Sequence, residues 1–374
     1  MVPPAESDLG PLAPYDGILL LSFGGPEKPE DVMPFLHNVT AGRGIPAERL
    51  AAVAEHYYVF GGRSPINDQN RALLAALRSE LDRRDIATAV LWGNRNFDPF
   101  VTDTLREAHD GGMRRVLTIV TSAYSSYSGC RQYREDLAGA EQVLADEGRQ
   151  IEIDKVRPYF NHPGFSRVNT RLVTEAVRAL LRRPDDEVCL LFATHSIPDD
   201  MNDTSGPGDG QGNAYRRQHL ELAAAITDEV NATLSRSLDH ELVYCSRSGT
   251  PAQPWLAPDI NDALRDLAAK GVKTVVVAPI GFVSDHMEVR FDLDTEAART
   301  AADLDLEMVR VPTAGTDPEF VSGLVDLALE RAAQARGESI ASPSWPNKEA
   351  FPAVCRPGCC PNLRLAKPAL CGSD

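Results

Sequence analysis

With 374 residues, 43% of them apolar and 25% charged, the chain has the size of two ordinary domains and the composition of a globular protein soluble in water. Its formal charge of −16 argues against nucleic acid, which needs a basic face, and leaves room for an anionic small molecule held by a few local arginines. No apolar run approaches the roughly 20 residues of a membrane span, and MVPPAESDLGPLAP at the N-terminus has neither the basic nor the apolar part of a secretory signal, so a cytoplasmic location is expected.

In chain order, residues 1–14 read as a disordered leader. GILLLSFGGP (17–26) is a strand running into a Gly-Pro turn, and a helix begins at 34–36. A loop (42–46) and an amphipathic helix (47–58) follow, then a turn, GGRSPIND (61–68), whose Asn67 or Asp68 can cap a helix reaching about Arg83. TAVLWGN (88–94) is a strand, 100–111 a helix, VLTIVTSAY (116–124) a strand, 132–147 a helix and IEIDKVRPY (151–159) a strand. The alternation restarts with a helix over 166–181 and the strand CLLFATHSIP (189–198). The Asp- and Gly-rich loop 199–212 is expected to be mobile. Helix 215–235, strand 241–246, helix 259–270, strand 274–280, strand 306–312 and helix 319–336 complete the pattern.

Strand–helix alternation throughout predicts an α/β fold with parallel sheets. Two rounds of about 150 residues predict two similar doubly wound domains, 15–165 and 166–336, facing each other across a cleft. Residues 337–374 have no period and many prolines, so they read as an irregular tail that its cysteines tie down.

The most informative stretch is TVVVAPIGFVSDHMEVRFDLDTE (274–296). A β-branched run of the kind buried in a parallel sheet ends at Pro279 and Gly281, and a polar segment with Asp285, His286, Glu288, Asp292, Asp294 and Glu296 follows. In a helix, Glu288, Asp292 and Glu296 share one face, which disfavours the fold unless a cation sits among them. A solvated acidic first turn accounts for the spacing equally well. His195 stands at another strand end, and sites in open parallel sheets form beyond the carboxyl ends of strands. A neutral imidazole there can ligate a metal or take a proton near neutral pH. SFGGP (22–26) lacks the spacing of a dinucleotide loop, and no P-loop, HExxH motif or nucleophile elbow occurs. Cys355, Cys359, Cys360 and Cys371 crowd the tail with no standard zinc spacing; four thiolates, one drawn from the body of the chain, can hold an iron–sulfur cluster, and inert thiols are the alternative.

The segments LLLSFGGPEKPEDV (19–32), FGGRSPI (60–66), FATHSIP (192–198), SRSGTPAQPWLAPD (246–259) and PIGFVSDHMEVRFDLD (279–294) resemble the ferrochelatases over nearly the whole chain. The pattern is most similar to actinobacterial members acting on coproporphyrin III. The resemblance implies two Rossmann-like domains of the class II chelatase type around a porphyrin cleft, and a lyase-type activity that inserts Fe2+ with loss of two pyrrole protons. His195 and Glu288 match the family's histidine and D-H-x-E carboxylate, and the resemblance assigns pyrrole protons and metal to them jointly. Asp292 and Glu296 extend an acidic path for Fe2+ or protons. Phe23 lies where related enzymes carry a metal-ligating tyrosine, and phenylalanine cannot ligate. Tyr57, Ser64 and Tyr133 resemble propionate-binding positions, and Arg43 is a further candidate partner for a propionate.

Cys130, with Cys355, Cys359 and Cys360, is implied to hold a [2Fe-2S] cluster in a structural role. A haem-pathway enzyme that takes the product is an expected partner. Three alternatives stay open at this point: a different porphyrin or metal (protoporphyrin IX, cobalt, nickel), a non-catalytic porphyrin or haem carrier, and an iron–sulfur electron carrier.

Overall fold

Every residue of GILLLS is buried, as befits the interior of a parallel sheet covered on both faces, and this segment forms the first strand, β1 (Gly17–Ser22). The structure is a computed structural model that describes residues 10–42, 44–180, 188–248, 252–346 and 349–370. After β1 come α1 (Val32–Val39), α2 (Ala47–Tyr58), α3 (Ile66–Arg83), β2 (Ala89–Asn94), α4 (Val101–Asp110) and β3 (Arg115–Val120). A π-helical turn, Tyr127–Arg131, runs into α5 (Gln132–Asp146), and β4 (Glu152–Lys155) closes the first sheet in the order β2-β1-β3-β4.

The second half repeats the scheme with α6 (Pro163–Leu180), β5 (Val188–His195), α7 (Asp199–Asp203), α8 (Ala214–Leu234), β6 (His240–Cys245), α9 (Ile260–Ala269) and β7 (Thr274–Ala278). A π helix, Val289–Ala297, continues as α10 (Ala298–Asp303), followed by β8 (Glu307–Arg310) and α11 (Pro318–Ala335). This sheet has the order β6-β5-β7-β8. All ladders in both sheets are parallel, so the α/β fold with parallel sheets is the one observed.

In both sheets the strand order reverses beside the first strand, and such switch points leave a crevice at the carboxyl ends of the strands. In the second sheet that crevice lies between β5 and β7, whose ends carry His195 and the segment leading to Glu288. One apolar core runs through both sheets, with Leu20 and Ile119 of the first, Phe192 and Val276 of the second, and Phe320 and Leu324 of α11 in the same cluster. Helix α11 packs on both α6 and α3, so the last helix returns to cover the first half of the chain.

Four expectations need correction. Residues 10–14, read as part of a disordered leader, form a turn with Leu12 and Ala13 buried, because Arg336 donates to the carbonyls of Pro11 and Ala13; residues 1–9 lie outside the described residues. The start of α3 is not capped by Asn67 or Asp68: Pro65 holds the cap position, and the Asn67 amide donates to Gly25 O at 3.1 Å and Glu27 Oε1 at 2.9 Å. The 199–212 loop contains α7 and is fastened from both sides, Asn202 donating to Asn213 Oδ1 at 2.7 Å and the Gly206 amide to Cys360 Sγ at 3.3 Å. The tail has no helix or strand among its described residues, yet backbone contacts hold it as much as cysteines do. Trp345 N donates to Asn161 O at 2.8 Å, Arg157 to Pro343 O at 2.7 Å, and Leu370 packs into the apolar face of α4 and α5.

One half-buried carboxyl makes the fold sensitive to pH. Burial lifts Glu141 of α5 to about 7, with Glu152 and Asp154 adding and the hydrogen bond from Ile153 N, 2.9 Å, opposing. Because the folded-state value lies above the unfolded one, the neutral form is the stabilising one, and stability falls as pH rises from about 4.5 through 7. Glu141→Gln keeps an acceptor for Ile153 and removes the ionisation. Its unfolding free energy, measured by denaturant titration, is expected to exceed wild type by ~1–3 kcal/mol at pH 8 and to match it near pH 4.

Candidate active site

His195 is the last residue of β5, directly after five fully buried positions, and its side chain remains one-third exposed. The strand end is held from behind: Tyr215 donates to His195 O at 2.8 Å, and the Thr194 hydroxyl lies 2.8 Å from Tyr215 Oη and 2.9 Å from His219 Nε2. A Cβ on Gly281 would stand 2.0 Å from Thr194 Oγ1, so only glycine lets the segment after β7 pass this close to β5. His195 Nδ1 meets the carbonyl of Ser196, which fixes the proton on Nδ1 and leaves the Nε2 lone pair free. That Nε2 is 3.6 Å from Glu288 Oε1. Glu288 also lies 3.9 Å from His286 Nδ1, a ring that burial drives towards its neutral form. A basic nitrogen and a carboxylate thus face each other at the ends of two adjacent strands.

Glu288 stands immediately before the π helix, and Asp292 and Glu296 lie within it. The winding there is π, with i→i+5 hydrogen bonds, not the α helix the spacing suggested; such turns concentrate at functional sites. Of the three carboxylates, Glu288 and Asp292 are half-buried and Glu296 is exposed. Burial raises Asp292 to about 7, Glu288 and Glu296 add to the rise, and the hydrogen bond from Ser246 Oγ opposes it.

The remaining two aspartates of the stretch are spoken for. Arg310 of β8 pairs with Asp285 at 2.9 Å and Asp294 at 2.7 Å, so those two are structural. Among the described residues, no lysine or arginine pairs with Glu288, Asp292 or Glu296, so their charge is available to an incoming cation. Neither do any three His, Cys, Asp or Glu side chains among the described residues form a closed metal cage. The arrangement is a string of single carboxylates, a donor set that can hold a hard divalent cation only loosely.

Facing this string is an apolar wall from the first half of the chain. Phe35 of α1 is edge-on to Phe23 (6.1 Å), to Tyr57 of α2 (5.7 Å) and to Phe97 (6.4 Å). Burial pushes the Tyr57 phenol up, and Glu288 and Asp292 push the same way, so Tyr57 looks onto the acidic string. The Tyr133 phenol at the start of α5 is likewise raised by burial and feels Glu288, while Arg95 holds it back. Tyr57 and Tyr133 therefore both feel the Glu288 charge, and Phe23 joins them through Phe35 and the Arg95 guanidinium.

Ser64 is not gathered with them in the same way: it is buried in the turn before α3, with Oγ accepting from Ile66 N at 3.4 Å and packed against Gly25. Arg43 lies outside the described residues. Sequence reasoning missed three side chains at the site, Arg95, Ser246 and Arg310. The first two follow directly after β2 and β6, and strand ends were the available signal. Arg310 carried none, since only the fold brings β8 beside the π helix.

The cysteines form a second cluster. Cys130 lies in the π turn before α5, and Cys355, Cys359 and Cys360 of the tail are buried beside it; Cys371 is outside the described residues. Cys355 and Cys359 share a hydrogen bond that lowers the Cys359 thiol. Burial raises Cys360, and the nearby Cys130 raises it further. The Arg134 guanidinium donates to Cys355 Sγ at 3.3 Å and Cys359 Sγ at 3.8 Å. The four thiols are buried near one another with a guanidinium and a backbone amide donating to their sulfurs, but among the described residues no three of them are gathered closely enough to hold a metal ion as they stand. Cys189 and Cys245 are buried elsewhere, in the core of the second sheet.

The family model described as Ferrochelatase matches residues 15–332 of the chain. The chain is 52% identical over 365 residues to a protein of Streptomyces coelicolor named coproporphyrin III ferrochelatase, covering 97% of each. It is 51% identical over 374 residues to a protein of the same name from Streptomyces griseus, covering 98% of this chain and 99% of that one. A protein of Rhodopirellula baltica named ferrochelatase is 44% identical over 350 residues, covering 93% of this chain and 94% of that one.

Proposed function

This chain belongs to the ferrochelatase family, and we propose that it inserts Fe2+ into coproporphyrin III to give the iron complex, releasing two protons. The observation that carries this reading is the His195–Glu288 pair, 3.6 Å apart, opposite the apolar wall of Phe23 and Tyr57. In the proposed complex a flat macrocycle packs on the aromatic side chains with its centre toward the pair. The two pyrrole protons pass in turn to the His195 Nε2 lone pair, each relayed to Asp292 before the next, and Glu288 stabilises the imidazolium that forms each time. Asp292, at about 7, then exchanges protons with Glu296 and solvent near neutral pH. Fe2+ follows the same carboxylates inward, and the handover to four porphyrin nitrogens is downhill because hard oxygen ligands hold it weakly. Phe23 supplies a packing surface and no ligand on the far face.

The choice of coproporphyrin III rests on the names of the relatives. An anaerobic assay of the purified protein with Fe2+ tests it, offering coproporphyrin III and protoporphyrin IX in parallel. Metallation of coproporphyrin III alone is expected. Turnover of protoporphyrin IX instead would keep the reaction and overturn the substrate, and porphyrin bound but never metallated would favour a carrier.

Cys130, Cys355, Cys359 and Cys360 are the proposed ligands of a [2Fe-2S] cluster that pins the tail to the start of α5. When bound it supplies a structural cross-link, since metal insertion involves no electron transfer. The domain limits 15–165, 166–336 and 337–374 are part of the same reading. No helix among the described residues is long and apolar enough to cross a membrane, and the proposed location is the cytoplasm, where a haem-pathway enzyme takes the product.

A further inference from the structure

Arg95 follows the last residue of β2, and its backbone is fastened to the end of β1, Arg95 N donating to Ser22 O at 3.0 Å. Its side chain is only 5% exposed, an unusual place for a guanidinium. The charge is met by Asp136 of α5, to which Nε donates. The guanidinium carbon also lies 4.5 Å from the Tyr133 ring centroid and 5.8 Å from that of Phe23. One planar group thus joins the end of β1 to the first turn of α5 and lies over both the Tyr133 and the Phe23 ring. A lysine could supply the charge but neither the fork nor the flat face.

We infer that Arg95 is the positioning residue for the porphyrin on the face opposite His195 and Glu288, holding the Phe23 and Tyr133 rings as one rigid floor. The inference rests on the porphyrin-metallation reading. A macrocycle packed on that floor gains affinity and a fixed tilt only while the rings are immobile, because their ordering is then complete before binding. Loss of Arg95 therefore acts on porphyrin and leaves Fe2+ capture, on the other side of the cleft, unaffected.

Arg95→Met/Asp136→Leu removes both partners together, so no buried charge is left alone, and Arg95→Lys keeps the charge without the fork. For the double variant the KM for coproporphyrin III is expected to rise about tenfold, the effect of losing a buried cation–π contact and a hydrogen bond. The KM for Fe2+ should stay within about twofold of wild type, and the emission of the bound metal-free porphyrin should shift. Arg95→Lys should fall between wild type and the double variant. A folded double variant with unchanged porphyrin KM and unchanged emission would overturn the inference, as would a change confined to Fe2+. Titration of porphyrin fluorescence gives Kd without turnover. A wild-type protein that binds porphyrin but never metallates it would therefore overturn the proposed reaction, while Kd still decides the role of Arg95.

Discussion

Replacing His195 with alanine is expected to slow Fe2+ insertion by roughly 10³-fold, within the range a positioned general base supplies, while coproporphyrin III still binds. Three features lead to that expectation. The ring is held by its Nδ1 contact with Ser196 O, so Nε2 is its one basic atom, and it points at Glu288. The backbone behind it is fixed by Tyr215 and Thr194, so truncating the side chain should not disturb the strand end. The wall that meets the macrocycle comes from Phe23 and Tyr57, both packed on buried Phe35, and neither touches His195 through a ring contact. Single-turnover absorbance under anaerobic conditions measures the rate, and porphyrin fluorescence measures binding. A rate within about tenfold of wild type would mean that Glu288 moves the protons unaided.

The second large effect is expected at the opposite end of the chain. Cys130→Ser should abolish the visible absorption of the proposed cluster and lower the thermal midpoint by about 2–3 °C, which about 2 kcal/mol of lost anchoring gives in a chain of this size. The exchange is nearly isosteric, so a packing defect contributes little. Its neighbours do the rest of the anchoring: Arg131 donates to Cys359 O and Lys367 O, each at 3.3 Å, and Arg134 donates to Ala353 O at 3.2 Å. These contacts keep the tail near α5 without a cluster, so the variant should remain folded and purifiable. An unchanged spectrum would exclude Cys130 as a ligand, and a wild-type protein free of iron and inorganic sulfide after anaerobic purification would remove the cluster altogether.

The fold and the strand ends where the site lies were legible because both depend on periodic features of the sequence, whereas the pairing of His195 with Glu288 came from the resemblance of their motifs to the ferrochelatases. Buried β-branched runs marked the strands, and the breaks at Pro279 and after His195 marked their ends, where the site lies. The acidic spacing of Glu288, Asp292 and Glu296 was visible too, but nothing in it distinguishes π from α winding. The six acidic and imidazole side chains of 285–296 could not be sorted by role from sequence alone. That sorting depends on Arg310, which reaches Asp285 and Asp294 from the neighbouring strand. The tail was unreadable for a different reason: many of its anchors are backbone carbonyls, as at Pro343, Ala353, Cys359 and Lys367, and a carbonyl acceptor leaves no mark in the residue type. The turn at 10–14 was misread for the same cause, since the arginine that holds it is 323 residues away from Ala13.

A crystal structure of the protein with iron coproporphyrin III bound tests the central claim most directly. The account predicts the macrocycle between the Phe23–Tyr57 wall and the His195–Glu288 pair, with the iron facing His195 Nε2 and the propionates away from the acidic string. A macrocycle bound outside this space, or an iron with neither His195 nor Glu288 beside it, would contradict the account.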